Sequence, residues 1–173
     1  MSVADHKDPA SVADGQDLVV ISATVKANVL GGRYKDLKLP VVTFENDVLD
    51  DMDMSAKKRG VDFGDVDDQH YVKLVNAPHP LAAGLSAGSV DLFKSEVGMG
   101  WGVPARGAIT IATLQGAPDK AAVFAYEKGA TMDHEAIAPA RRVYLPVDYN
   151  AWSDLTATGM KLVDNALAWA VGT

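Results

Sequence analysis

The segments DLVVISATV at residues 17–25 and LKLPVVTFEN at residues 37–46 decide the fold. Both are short, rich in β-branched residues and almost wholly apolar in the middle. Runs of this kind are typical of strands that are buried on both faces, as in a parallel sheet. Pro40 is acceptable at the beginning of the second strand. We therefore expect two parallel strands that run from Leu18 and Val41.

Outward from this pair, the chain is rich in strand signals. Short apolar or alternating runs predict further strands at residues 70–76, 89–95, 108–114, 120–127 and 141–147. The third and fourth of these are joined by QGAPD, which predicts a turn between paired strands. The glycine-rich VGMGWGVP at residues 97–104 predicts another turn, and the acidic segment at residues 47–70 predicts irregular structure.

The last element is predicted to be an amphipathic helix. Apolar residues recur at helical spacing in SDLTATGMKLVDNALAWAVG at residues 153–172. Thr156 or Thr158 is suited to cap the beginning of the helix, and Gly172 is suited to cap its end. Strands at the start and a helix at the end indicate one α/β domain over residues 1–173, with three layers and a β-rich insertion.

Composition excludes several classes of function. The net charge of −7 repels a phosphate backbone, so we expect no nucleic-acid partner. The chain has no cysteine, which excludes disulfides, thiolate metal sites and a cysteine nucleophile. No apolar run approaches the roughly 20 residues of a membrane span, and the polar N-terminus lacks a signal-peptide core. We expect a cytoplasmic protein without membrane contact.

Six segments, taken in order, resemble the ThuA-like branch of the class I glutamine amidotransferase-like superfamily. They are DLVVIS, GGRYKDLKLPVVTFEN, HPLAAGLSAG, AVFAYEKGA, ARRVYLPV and LTATGMKLVDNALAWA, and the resemblance covers residues 17–171. It implies a flavodoxin-like, mostly parallel sheet with helices on both faces. It also implies a link to sugar-related proteins.

The chain departs from that family in two respects. Amidotransferases of the superfamily use a cysteine nucleophile, so this chain is not a glutamine amidotransferase. The strand and helix that normally come before the segment matching DLVVIS have no counterpart in residues 1–16. That first strand is usually interior, so its loss predicts an open sheet edge, which we expect a homodimer to cover.

Polar residues follow several of the predicted strands. In open α/β sheets, ligands bind outside the carboxyl ends of the strands. The residues concerned are Ser22, Thr24, Glu45, Asn46, Tyr126 and Glu127. We expect them to converge on one cleft that binds a small molecule.

A hydrolytic triad is one interpretation of this cleft. Ser22 would be the nucleophile, His79 or His134 the base, and Glu45 the group that orients the base. Ser22 lacks the G-x-S-x-G elbow that exposes a nucleophile, which argues against the triad. His79 lies between Pro78 and Pro80 in NAPHPLAAGL, where a structural role in a turn is the favoured alternative.

Three further features have a functional and a structural interpretation. Asp50, Asp51 and Asp53 are oxygen ligands that suit calcium, but their segment lacks the EF-hand pattern and a solvated acidic loop is favoured. His134 in TMDHE has no second histidine nearby, so a polar loop is favoured over a zinc site. Trp101 is equally suited to stack on a sugar ring or to fill the core.

Two functions and a third alternative follow. The leading one is a ThuA-like domain without amidotransferase activity that binds a small or carbohydrate-related ligand or has a structural role. The alternative is a small hydrolase of an ester, lactone or amide, using Ser22 or a metal-bound water with His79 or His134. The third is a subunit that only self-associates. No cofactor is firmly predicted beyond the calcium alternative.

Overall fold

The computed structural model describes Met1–Thr173 and contains one mixed sheet. The strands are β1 (Val19–Ile21), β2 (Val41–Thr43), β3 (Phe63–Gln69), β4 (Tyr71–Leu74), β5 (Gly88–Asp91), β6 (Val97–Gly102), β7 (Ile109–Leu114), β8 (Ala117–Tyr126) and β9 (Arg142–Tyr144). The helices are α1 (Ala27–Leu30) and α2 (Ala157–Val171), and 3-10 turns lie at Ala10–Ala13, Asn46–Val48, Pro80–Ala82, Asp133–Glu135 and Trp152–Asp154. Neither α-helix is long and apolar enough to span a membrane.

The sheet has the strand order β1-β2-β9-β8-β7-β4-β5, and β6 pairs with both β8 and β3. The expected parallel pairing is confirmed, since Val19 lies opposite Val41. β2 and β9 are also parallel. Every other pairing is antiparallel, so the prediction of a mostly parallel sheet is wrong. The fold is mixed α/β, with a parallel part of three strands beside a larger antiparallel part.

Both faces of the sheet are covered. Along β8, Val123 and Ala125 belong to one hydrophobic cluster while Phe124 and Tyr126 belong to another, as the alternation of side chains along a strand requires. α2 covers the first face. The short helix α1, the 3-10 turns and irregular chain cover the second, which carries no long helix.

The C-terminal helix confirms the prediction made from its apolar periodicity. Leu162, Val163, Ala166 and Trp169 are buried against the first face of the sheet. Thr156 is the N-cap, and its Oγ1 accepts a hydrogen bond from the Gly159 N–H at 2.9 Å. The helix ends at Val171 and is capped by Gly172, whose φ of 86° is the left-handed conformation that glycine adopts without strain.

Two local predictions are wrong. The glycine-rich segment predicted as a turn forms β6, and part of the acidic segment predicted as irregular forms β3. These strands pair antiparallel, with Gly64 opposite Trp101. Glycine at position 64 lets the strands approach, because a Cβ there would stand only 3.2 Å from the Trp101 ring. Neither strand has the β-branched, apolar pattern that marks β1 and β2.

Candidate functional site

The strands β1, β2 and β9 run parallel, so their carboxyl ends lie together. We call this side of the sheet its carboxyl end. A cleft of about 220 Å³ lies there, with β3 and β6 forming its far wall. Its charged lining is formed by Glu45, Asp47, Arg59, Asp65, Asp67 and Asp148. We call this space the Glu45 cleft.

Glu45 lies two residues after the end of β2 and is half-buried in the cleft wall. Its Oε1 accepts a hydrogen bond from the Asp47 N–H at 3.0 Å, which fixes the carboxyl group over the 3-10 turn that follows. Burial, reinforced by the charge of Asp148, raises the pKa of Glu45 to about 7, although Arg59 opposes the shift. Glu45 is therefore able to give and take a proton near neutral pH.

Tyr144 and Asn46 line the cleft, and each has a buried polar atom without a hydrogen-bond partner. Tyr144 ends β9 and is fully buried, and the Asn46 Nδ2 atom is shielded from solvent as well. Burial is the main cause that raises the pKa of the Tyr144 hydroxyl well above its usual value, and Glu45, Asp65 and Asp148 add to it. The hydroxyl therefore keeps its proton.

Gly100 on β6 makes room for these two side chains. A Cβ at this position would collide with the Tyr144 hydroxyl and stand 3.2 Å from Asn46 Cγ. Glycine is therefore required here by close approach and not by backbone conformation, since its φ is not positive.

Arg59 joins the two walls of the cleft. Its guanidinium pairs with Asp47, which follows β2, and with Asp65 on β3. All three side chains are partly exposed, so the pairs stabilise the fold little and mainly hold the cleft walls in place.

Ser22 and Thr24 also lie at the carboxyl end of the sheet, but their side chains are not arranged for catalysis. The Ser22 Oγ is 3.0 Å from the Thr24 Oγ1 and also accepts a hydrogen bond from the Thr24 N–H. Both residues are exposed. No histidine side chain is hydrogen-bonded to Ser22, so the structure provides no activated serine.

His79 and Glu127 lie at the opposite end of the strands from the Glu45 cleft. β8 runs antiparallel to β9 and Tyr126 lies opposite Arg142, so Glu127 follows β8 next to the beginning of β9. Arg141 donates a hydrogen bond from Nε to Glu127 Oε2 at 2.9 Å and from Nη1 to the Trp169 carbonyl. The His79 ring packs edge-on against Trp169 at 5.6 Å. The predicted convergence with Ser22 and Glu45 is therefore wrong.

His79 has the structural role that its flanking prolines favour. It caps the 3-10 turn Pro80–Ala82, and its Nδ1 accepts a hydrogen bond from the Leu81 N–H at 3.2 Å. Burial lowers the pKa of His79, with Glu127 acting in the opposite direction. The neutral ring that this turn requires is thereby favoured.

Tyr126 and Trp101 belong to the core and not to a ligand site. The Tyr126 hydroxyl donates to the Met54 carbonyl at 2.9 Å and accepts from the Ala105 N–H at 2.8 Å. Trp101 is buried, and Lys120 Nζ lies 4.2 Å from its ring centroid. Neither ring is presented to solvent, so neither lies where a ligand at the surface would contact it.

His134 lies beside a second cleft, on the same side of the sheet as Met52 and Met132. Its Nδ1 is 3.5 Å from Asp53 Oδ1, and Lys35 Nζ donates to Asp53 Oδ2 at 3.2 Å. No group of three or more His, Cys, Asp or Glu side chains is arranged to hold a metal ion. The predicted metal ligands Asp50, Asp51 and Asp53 are therefore not brought together in such a group.

Several cleft residues were missed by sequence reasoning. Tyr144 and Asp148 are the last residue of β9 and a residue shortly after it, so the strand-end rule that found Glu45 would have found them too. Arg59, Asp65 and Gly100 come from segments whose strand character the sequence pattern hides. Only the pairing of β3 with β6 brings them to the cleft.

No protein-family model matches the chain, and no curated protein matches it.

Proposed function

We propose that the chain is a ThuA-like domain without amidotransferase activity that binds a small, neutral, carbohydrate-related ligand in the Glu45 cleft. The observation that carries this proposal is the set of unpaired polar groups in the cleft wall. Buried polar atoms are nearly always hydrogen-bonded, so unpaired ones at a cleft indicate a group that completes them.

The chemistry of the cleft favours a neutral ligand with many hydroxyl groups. Carboxylates accept hydrogen bonds from hydroxyls, while the Tyr144 phenol and the Asn46 amide donate to them. Carboxylates clearly outnumber the single guanidinium of Arg59, so a phosphate or carboxylate ligand would be repelled. A sugar satisfies both kinds of group without adding charge.

The ordered segments that resemble ThuA-like domains support the family part of the proposal. In this proposal β1, β2 and β9 are the remaining parallel strands of a flavodoxin-like, three-layer arrangement. The position of the cleft beyond their carboxyl ends agrees with where such sheets bind ligands.

The test is calorimetric titration of the full chain with a panel of neutral hexoses and 1,5-anhydrohexitols. We expect at least one panel member to bind, and its phosphorylated form to bind more weakly. Gly100→Ala should abolish this binding because the added Cβ displaces Tyr144 and Asn46. Glu45→Gln should weaken it about tenfold, the usual effect of losing one charge-assisted hydrogen bond.

Gly98→Ala is the matched control on the same strand. A Cβ there would lie 3.6 Å from the nearest side-chain oxygen of Asp67, which is an ordinary contact, so binding should persist. Circular dichroism of both variants checks that β6 still forms. Failure of every neutral sugar to bind the unmodified chain would contradict the proposal and leave a structural role as the explanation.

A second candidate function is hydrolysis of an ester or lactone, which the pKa of Glu45 favours. His79 and His134 lie away from the cleft, so the base in this mechanism is Glu45 itself. Its carboxylate takes a proton from water as the water oxygen bonds to the carbonyl carbon. The carboxyl group then returns that proton to the alkoxide as the carbon–oxygen bond breaks.

The hydrolase candidate predicts a characteristic pH profile. With aldonolactones as substrates, kcat/KM should rise with pH until about 7 and then level off, because Glu45 must be deprotonated to act as the base. Glu45→Gln should remove the activity, whereas Ser22→Ala should leave it unchanged. An active Glu45→Gln variant would exclude this mechanism.

A further inference from the structure

We propose that the Tyr144 hydroxyl and the Asn46 amide together hold one carbonyl oxygen, so that the preferred ligand is a sugar derivative bearing a carbonyl group, such as an aldonolactone. This inference rests on the proposed function, since it names the ligand class of the same cleft.

Both groups lack a hydrogen-bond partner inside the protein. The Tyr144 hydroxyl and Asn46 Nδ2 have no hydrogen-bond partner, and solvent reaches neither atom. Elsewhere in the same fold the comparable phenol of Tyr126 is fully used, because it donates to one backbone group and accepts from another. The missing partner at Tyr144 is therefore not a general property of buried tyrosines in this fold.

The side chains of Tyr144 and Asn46 lie next to each other. A Cβ placed on Gly100 would touch the Tyr144 hydroxyl and would stand 3.2 Å from Asn46 Cγ. Both side chains therefore pack against the same point of β6. Two donors held this close together suit a single acceptor with two lone pairs.

Both groups act as hydrogen-bond donors. The high pKa of the Tyr144 hydroxyl, which burial causes, keeps its proton in place, and an amide nitrogen only donates. A carbonyl oxygen accepts both hydrogen bonds and carries no charge. A carboxylate would also accept them, but Asp65 and Asp148 act on the same hydroxyl and would repel it.

Binding of the ligand oxygen requires a small movement of the protein, because solvent reaches neither donor. We assign this movement to the Asn46 side chain, which lines the cleft. Asn46 is the first residue of a 3-10 turn that Glu45 caps, so such a shift moves the side chain without disturbing a strand.

The test compares matched pairs of neutral ligands by calorimetric titration of the full chain. In each pair a stable 1,5-aldonolactam carries the ring carbonyl and the corresponding 1,5-anhydrohexitol lacks it, in the gluco, galacto and manno configurations. We expect the lactam to bind about tenfold more tightly than its partner in at least one configuration, since its carbonyl oxygen is a better acceptor for two donors than an ether or hydroxyl oxygen.

Tyr144→Phe assigns the preference to this pair of donors. The variant should lose most of the lactam preference, so that the two members of a pair bind with similar affinity. Its melting temperature should not fall, because the hydroxyl that is removed has no partner in the empty cleft. Tyr149→Phe, at an exposed position, is the matched control and should keep the preference.

The outcomes separate this inference from the proposed function. Equal binding of lactam and anhydrohexitol, or a preference that persists in Tyr144→Phe, would overturn the carbonyl site and leave the sugar cleft standing. Failure of every pair to bind would overturn both.

Discussion

At the residue scale, Arg142 shows how far a side chain departs from what its type suggests. The pair Arg141-Arg142 reads in the sequence as a short basic cluster, yet Arg142 is completely buried. Its Nη1 and Nη2 atoms donate hydrogen bonds to the carbonyls of Lys35, Leu37, Leu39, Ala140 and Arg141. Burial lowers the pKa of Arg142 to about 10, so the group remains charged at neutral pH.

Replacing Arg142 should be costly. Arg142→Met leaves several backbone carbonyls without a donor, so we expect the free energy of unfolding to fall by about 3 kcal/mol or more. Urea denaturation followed by circular dichroism measures the change. Arg106→Met is the control at an exposed position and should stay within about 0.5 kcal/mol of the unmodified chain. A similar small effect at Arg142 would show that its hydrogen bonds contribute nothing.

Glu45 should make the stability of the protein depend on pH. Its pKa rises from an ordinary value near 4.5 to about 7 on folding, so the unfolded chain releases this proton first as pH rises. The free energy of unfolding therefore falls between about pH 4.5 and 7 and is constant in this respect above 7. We expect a total of roughly 1–2 kcal/mol, which allows for solvent screening of a half-buried group.

Glu45→Gln isolates this effect because glutamine keeps the oxygen that accepts from the Asp47 N–H. The variant should be more stable than the unmodified chain at pH 8 and about equal to it at pH 4.5. Denaturation curves at both values measure the difference. A stability difference that does not change with pH would contradict the raised pKa of Glu45.

At the element scale, strand positions were more predictable than strand directions. β8 and β9 were both predicted from their apolar runs, but nothing local in KAAVFAYE shows that β8 runs antiparallel to β9. Direction depends on pairing with distant segments. Because β8 runs antiparallel to β9, Glu127 lies at the opposite end of the strands from Glu45.

Helix α2 offers an element-scale prediction on its N-cap. Thr156 Oγ1 accepts from the Gly159 N–H and donates to the Asp91 carbonyl at 2.7 Å, so it also ties the helix to β5. Thr156→Ala should lower the free energy of unfolding by about 1–2 kcal/mol. Thr158→Ala, inside the helix, should be neutral or slightly stabilising, since alanine is the better helix former. Thermal melts of both variants test this, and equal effects would contradict the assignment of the cap.

At the scale of the whole molecule, the parallel part of the fold was predictable and the antiparallel part was not. β1 and β2 are short apolar runs that pair in parallel as expected, and β2 is buried throughout. β1 lies at the edge of the sheet and leaves Val20 exposed, so the prediction that it is buried on both faces is wrong. β3 and β6 are rich in Asp and Gly, so they form strands only because they pair with each other beside the core. The Glu45 cleft needs both parts. The sequence alone therefore identified Glu45 and Asn46 but not the opposite wall.

The open edge of the sheet leads to a prediction about assembly. The Val19 N–H donates to the Pro40 carbonyl and the Ile21 carbonyl accepts from the Phe44 N–H, so the backbone of Val20 faces away from β2. The Val20 side chain is also exposed. We propose that a second copy of the chain pairs with this edge to form a homodimer.

Sedimentation equilibrium should give a mass of twice 18.3 kDa. Val20→Lys should shift the protein to monomer, as charged residues do on edge strands. Val12→Lys, at another exposed valine, should not. A monomer at every concentration of the unmodified chain would contradict this assembly.

The most direct test of the Glu45 cleft as the ligand site is chemical-shift mapping by NMR of the full chain. The titrants are the lactam and anhydrohexitol pairs described above. We predict that the largest amide shifts fall on Asn46, Asp47 and Gly100, with the Glu45 carboxyl carbon titrating near pH 7 and moving when ligand binds. Shifts that cluster around His134 and Lys35, or no shifts with any titrant, would contradict it.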